Sequence, residues 1–215
     1  MRLWMENAFL WLAHQFGQNN IMSKPTLLPV SEHFPIQYDG SKDSMIMTAE
    51  IIAKQMQIDI TEVALDNYEQ NIQEFSGDMG YKIFTQVDKD SEEKLSAGLY
   101  INKNDQGKYE IFVEKKNLRD PENLVATIAH EFSHTKILGE KRLDFNDEEL
   151  TDLTTVVFGL GIFNANSALK EHKTFYSYGY NSIGYLKEKR VGVCASTIRL
   201  FQERRKSRLD KIFDA

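Results

Sequence analysis

Asp120-Pro121-Glu122 is the strongest helix start in this chain, and the helix it opens constrains the fold more than any other segment. An aspartate at the N-cap accepts hydrogen bonds from free backbone N–H groups, and proline suits the first helical position, where no N–H is needed. At about 100° per residue, Val125, Ile128, Ala129 and Phe132 fall on one apolar face. Thr127, His130 and His134 fall on nearly the opposite face, with Glu131 at its edge. A helix divided in this way packs one side into a core and presents the other to a cleft. Gly139 is its expected end.

The segments before this helix alternate in period. Leu3, Phe9, Leu10, Leu12 and Phe16 have helical spacing, and Gly17 with the Gln-Asn-Asn run after it is expected to stop that helix. Residues 23 to 43 hold three of the four prolines and read as an extended, wrapping segment. Asp43 or Ser44 is the expected cap of a second helix over residues 45–57, and Val63 and Leu65 suggest a strand within 61–69. Ala97–Asn102 and Lys108–Glu114 are short runs rich in aliphatic and aromatic residues. Lys103-Asn104-Asp105-Gln106-Gly107 between them has the chemistry of a hairpin turn. After the His130 helix nearly everything reads as helix or loop.

The expected fold is therefore α+β: a small antiparallel sheet packed on the helix of residues 121–139, followed by a mainly helical C-terminal half. At 215 residues the chain can bury a sizeable core as one domain. A mixed α/β lobe is expected over residues 1–118 and a helical lobe over 119–215. A net charge of −6 argues against a nucleic-acid binder. The basic cluster Arg204, Arg205, Lys206 and Arg208 reads as a solvated helix face. Cys194 is the only cysteine, which leaves no intramolecular disulfide and suits a small buried hydrophobe. The apolar run Ala8–Ala13 is too short to span a bilayer, and no secretory leader pattern is visible. A soluble, cytoplasmic protein without a membrane partner is expected.

Residues 130 to 134, His-Glu-Phe-Ser-His, carry the chemistry. On a helix, histidines four apart project from one face and can bind a single zinc ion. A glutamate beside them can take a proton from a metal-bound water. Catalytic zinc usually has three protein ligands and an open position, so a third ligand must come from elsewhere. Thr135-Lys136-Ile137-Leu138 follows His134, so the metzincin extension is absent. His172 lies in a hydrophilic stretch and reads as solvated. Asn146-Asp147-Glu148-Glu149-Leu150-Thr151-Asp152 is a better source. It looks like a helix start with Asn146 as the cap. First-turn acids complement the helix dipole and need no metal, which accounts for Glu148 and Glu149 but less well for Asp152, one turn further in.

His130-Glu131-x-x-His134 followed by Glu148-x-x-x-Asp152 resembles the gluzincin zinc metallopeptidases, the clan typified by thermolysin. The resemblance covers residues 121–155 and implies a zincin-like domain. It implies that His130, His134 and Glu148 ligate Zn2+, that Asp152 orients a ligand histidine, and that Glu131 is the general base. The loop between the two motifs is shorter than in thermolysin, which leaves Asp152 or Glu149 as alternative ligands. Deformylases share the first motif but draw a ligand from an upstream cysteine, and Cys194 lies downstream. Leu150 to Phe163, with Gly184-Tyr185-Leu186, also resembles a bacterial protein family that implies no function. The implied activity is hydrolysis of a peptide or protein substrate. A tyrosine from the Tyr176–Tyr185 stretch, Tyr185 or Tyr180, is the expected donor to the oxyanion. A zinc-binding regulatory or interaction protein without catalysis is the competing reading.

Overall fold

The computed structural model describes residues 2–69, 75–76, 82–83, 97–168, 171–174 and 177–180. Helix α1 (Arg2–Phe16) ends at Gly17, but the Gln-Asn-Asn run begins a second short helix, α2 (Gln18–Ser23), rather than a stop. Ile21 and Met22 are buried there, so packing outweighs the weak helix propensity of asparagine. Helix α3 (Lys42–Met56) starts earlier than expected. Its cap is Ser41, whose Oγ accepts from the Ser44 N–H at 3.1 Å, and neither Asp43 nor Ser44 takes that role.

Strands β1 (Val63–Tyr68), β4 (Gly98–Ile101) and β5 (Tyr109–Glu114) form a three-stranded sheet in the order β1-β5-β4. Short antiparallel pairs join β2 (Phe75–Ser76) to β3 (Lys82–Ile83), and β6 (Glu171–Thr174) to β7 (Ser177–Tyr180). The main sheet is mixed rather than antiparallel. β4 and β5 pair as the expected hairpin, while β1 runs parallel to β5 from Val63↔Tyr109 to Tyr68↔Glu114. A parallel pair needs a long crossover, and the chain between Tyr68 and Tyr109 supplies it. In the hairpin turn the Asn104 side chain accepts from the N–H groups of Gln106 and Lys108 at 2.9 and 3.0 Å.

Helix α4 (Pro121–His134) is capped as expected, Asp120 accepting from the Asn123 N–H. Thr135–Gly139 prolongs it as a π-helical turn. Helices α5 (Glu148–Val157) and α6 (Gly161–Ala168) complete the α+β fold. α4 packs against α3, α5, α6, β4 and β5, and so lies at the centre of the described residues. The two-faced helix expected from the sequence is therefore buried nearly all round. Thr127, Ser133 and His134 are as enclosed as Ile128 and Phe132. The hydroxyls tolerate burial because Thr127 donates to Asn123 O and Ser133 to Ala129 O, both at 2.8 Å.

Leu124, Ile128 and Phe132 meet Ile52 and Met56 of α3, Ile111 and Val113 of β5, and Phe158 and Phe163 in one core running from Ala8 to Phe163. Phe132 is fully buried, so Phe132→Ala should destabilise the protein by about 3–5 kcal/mol, through lost burial and the cavity left behind. Urea unfolding checks this; a loss under about 1 kcal/mol would mean that Phe132 is not at the centre of a tight core.

The wrapping segment is pinned at both ends. Leu27 N donates to Gly159 O at 2.8 Å, and Tyr38 Oη donates to Leu118 O at 2.6 Å. Gly159 has φ 87°, and a Cβ there would meet Pro25 O at 2.2 Å, so only glycine lets the segment close over the end of α5. Among the described residues no helix is long and apolar enough to cross a membrane.

Candidate metal centre

The helical period places His130 and His134 one turn apart on α4, and α5 brings an acidic turn across from them. The α5 cap is Asp147, which accepts from the Leu150 N–H at 3.0 Å. Asn146, the expected cap, instead donates from Nδ2 to Glu148 Oε1 at 2.6 Å. That bond turns the other Glu148 oxygen toward the histidines. Glu148 Oε2 lies 3.1 Å from His130 Nε2 and 3.5 Å from His134 Nε2, and the two Nε2 atoms are 3.2 Å apart.

These three atoms form a nearly equilateral triangle, and His130, His134 and Glu148 are a group that can hold a metal ion. A tetrahedral ion with bonds of about 2.0–2.1 Å, as zinc makes to nitrogen and oxygen, separates its ligand atoms by about 3.3 Å. The observed edges scatter about that value. The donor set, two imidazole nitrogens and one carboxylate oxygen, suits a divalent transition-metal ion. Glu149 is not part of the group, and Asp152 stands behind it. Asp152 Oδ1 is 2.8 Å from His130 Nδ1, so Asp152 accepts the Nδ1 proton and fixes the ring with Nε2 facing the triangle. His134 has no such support: its Nδ1 is buried without a hydrogen-bond partner among the described residues.

The electrostatics favour positive charge. Burial works against a charged His130, but its hydrogen bonds with Asp152 and Glu148 prevail, and its pKa is pushed up to about 10. Burial opposes ionisation of Glu148 too. Its hydrogen bonds with His130, His134 and Asn146 nevertheless hold its carboxyl well below the usual range. Burial pushes Glu131 upward, with the two neighbouring imidazoles only partly offsetting it. Three carboxylates thus surround two imidazoles.

Edge strand β4 closes the site on its other side. Gly98 and Tyr100, two residues apart, point to the same face of the sheet, toward α4. Gly98 faces Glu131, and Tyr100 stacks on His134 with ring centroids 5.7 Å apart at 26°. The rings of His130 and His134 meet nearly at right angles, 84°. Gly98 and Tyr100 carry no motif, and Asn146 reads in the sequence only as a helix cap. The period-two alternation of β4 was the available signal for the first two. Tyr185, Cys194 and the basic cluster at 204–208 lie outside the described residues, whereas Tyr180 ends β7 and His172 lies on β6. No protein-family model, no curated protein and no solved structure matches this chain.

Proposed function

We propose that the protein is a zinc-dependent peptidase with His130, His134 and Glu148 as metal ligands. The observation that carries this reading is the Nε2–Nε2–Oε2 triangle with edges of 3.1 to 3.5 Å, beside the buried carboxylate of Glu131. Zinc, when bound, supplies Lewis acidity and lowers the pKa of water toward neutrality. Glu131, buried beside the two imidazoles, would be the group that accepts a proton from a water held there and passes it to a leaving amine. Asp152 keeps His130 in the tautomer that offers Nε2. Asn146 occupies the second oxygen of Glu148, so that the carboxylate offers one oxygen. The substrate class is a peptide or unfolded protein.

The test is the metal content of protein purified without chelator, together with cleavage of denatured protein. One zinc per chain and cleavage abolished by chelator are expected. Protein that carries no metal, and takes up none when zinc is offered, ends the proposal.

One observation favours a second reading, a zinc-binding protein without catalysis. Glu131 is 4 % exposed, and the β4 face of the site is closed by Gly98 and Tyr100. Full zinc occupancy without cleavage of any denatured substrate would select it. Under either reading Asp152→Asn should weaken zinc affinity about 10–100-fold, because the charged acceptor that orients a ligand histidine becomes a neutral amide. Chelator competition reads this directly, and an unchanged affinity would remove Asp152 from the site.

A further inference from the structure

Strand β4 lies so close to α4 that the Glu131 side chain fills the space beside Gly98. A Cβ at residue 98 would stand 2.6 Å from Glu131 Oε1, 2.9 Å from Glu131 Cγ and 2.8 Å from Thr127 Cγ2. All three are under 3.0 Å, a separation real Cβ atoms essentially never show. Neither obstacle is free to swing away. Glu131 and Thr127 are 4 % and 2 % exposed, and Thr127 Oγ1 is tied to Asn123 O at 2.8 Å. The strand cannot retreat either. Gly98 is paired with Val113 of β5, and Ala97 O accepts from both Glu114 N and Asn117 Nδ2 at 3.0 Å.

We infer that Gly98 is a positioning residue for Glu131: its missing side chain lets the edge strand press against the carboxylate and hold it beside the two imidazoles. Any larger residue displaces Glu131, Thr127 or the strand. The inference rests on the peptidase reading for the chemical role of Glu131, but not for the steric claim.

Two measurements test it separately. In the first, urea unfolding of chelator-treated protein compares wild type, Gly98→Ala, Glu131→Ala and the double variant. Gly98→Ala should lower the midpoint in the wild-type background. It should lower it by less beside Glu131→Ala, where the Cγ and carboxylate are gone and only the Thr127 Cγ2 contact remains. Equal lowering in both backgrounds overturns the inference. This arm needs neither zinc nor substrate, so its result stands if the peptidase reading fails.

In the second, zinc-loaded Gly98→Ala is assayed on denatured casein. Zinc content and KM should be unchanged while kcat falls at least tenfold. Adding Thr127→Ser, which keeps the hydroxyl but removes Cγ2, should restore part of the loss. Unchanged kcat, or a loss that tracks zinc content, overturns the positioning role. If zinc-loaded wild type itself cuts nothing, the peptidase reading falls, and the unfolding cycle alone decides the inference.

Discussion

His134→Ala will leave the protein without bound zinc. The variant removes one corner of the ligand triangle, where His134 Nε2 stands 3.2 Å from His130 Nε2 and 3.5 Å from Glu148 Oε2. Two remaining donors do not make a zinc site, which takes three protein ligands even when one position stays open. Gel-filtered protein should fall from one zinc per chain to below about a tenth, as elemental analysis would read it, for a site that loses a third of its donors. His134 is also a buried side chain stacked on Tyr100, so some stability is lost with the ring. Melting curves separate the two effects. Anything that binds only the folded state raises its apparent stability, so a chelator should lower the Tm of wild type and leave that of His134→Ala unmoved. Zinc content equal to wild type would remove the site altogether.

Glu131→Gln should do the opposite, keeping zinc and losing hydrolysis. Glutamine has the same shape, so the contact with Gly98 and Thr127 is preserved, but its amide cannot accept the proton of an attacking water. Loss of a positioned general base costs roughly 10²–10⁴ in rate, or about 3–5 kcal/mol of barrier. The fold should survive, because burial opposes a charge on Glu131 and the amide that replaces it carries none. Full activity on denatured casein, with zinc still bound, would show that Glu131 is not the base. Read together, the two substitutions separate holding the metal from using it.

The parts of this arrangement that are legible in sequence are local ones. Asp120-Pro121 announces a helix, and a 3.6-residue period then puts His130 under His134 and Glu148 under Asp152 on their own helices. Local rules also misplace neighbours: Asn146 and Asp147 are both good caps, as are Ser41 and Asp43, and only the folded backbone chooses between them. What pairs with what across the chain is less accessible. β1 is recognisable as a strand, but nothing in its own residues states that it joins β5 in parallel, since register depends on partners far away in sequence. The burial of α4 on its polar face is hidden for the same reason. Thr127 reads as part of a face open to a cleft until β4 is laid against it, and its hydroxyl turns back to its own helix.

The ligand triangle is drawn from a short span of chain: His130 and Glu148 are separated by 18 residues, whereas β1 and β5 align Val63 with Tyr109. Closing a short loop costs less chain entropy than closing a long one, although the cost grows only slowly with length. The three donors can therefore come together once α4 and α5 have docked, before the parallel strand pair is in place. A metal ion held by these donors would act as a clip across the turn between two helices, joining the central helix of the core to its neighbour.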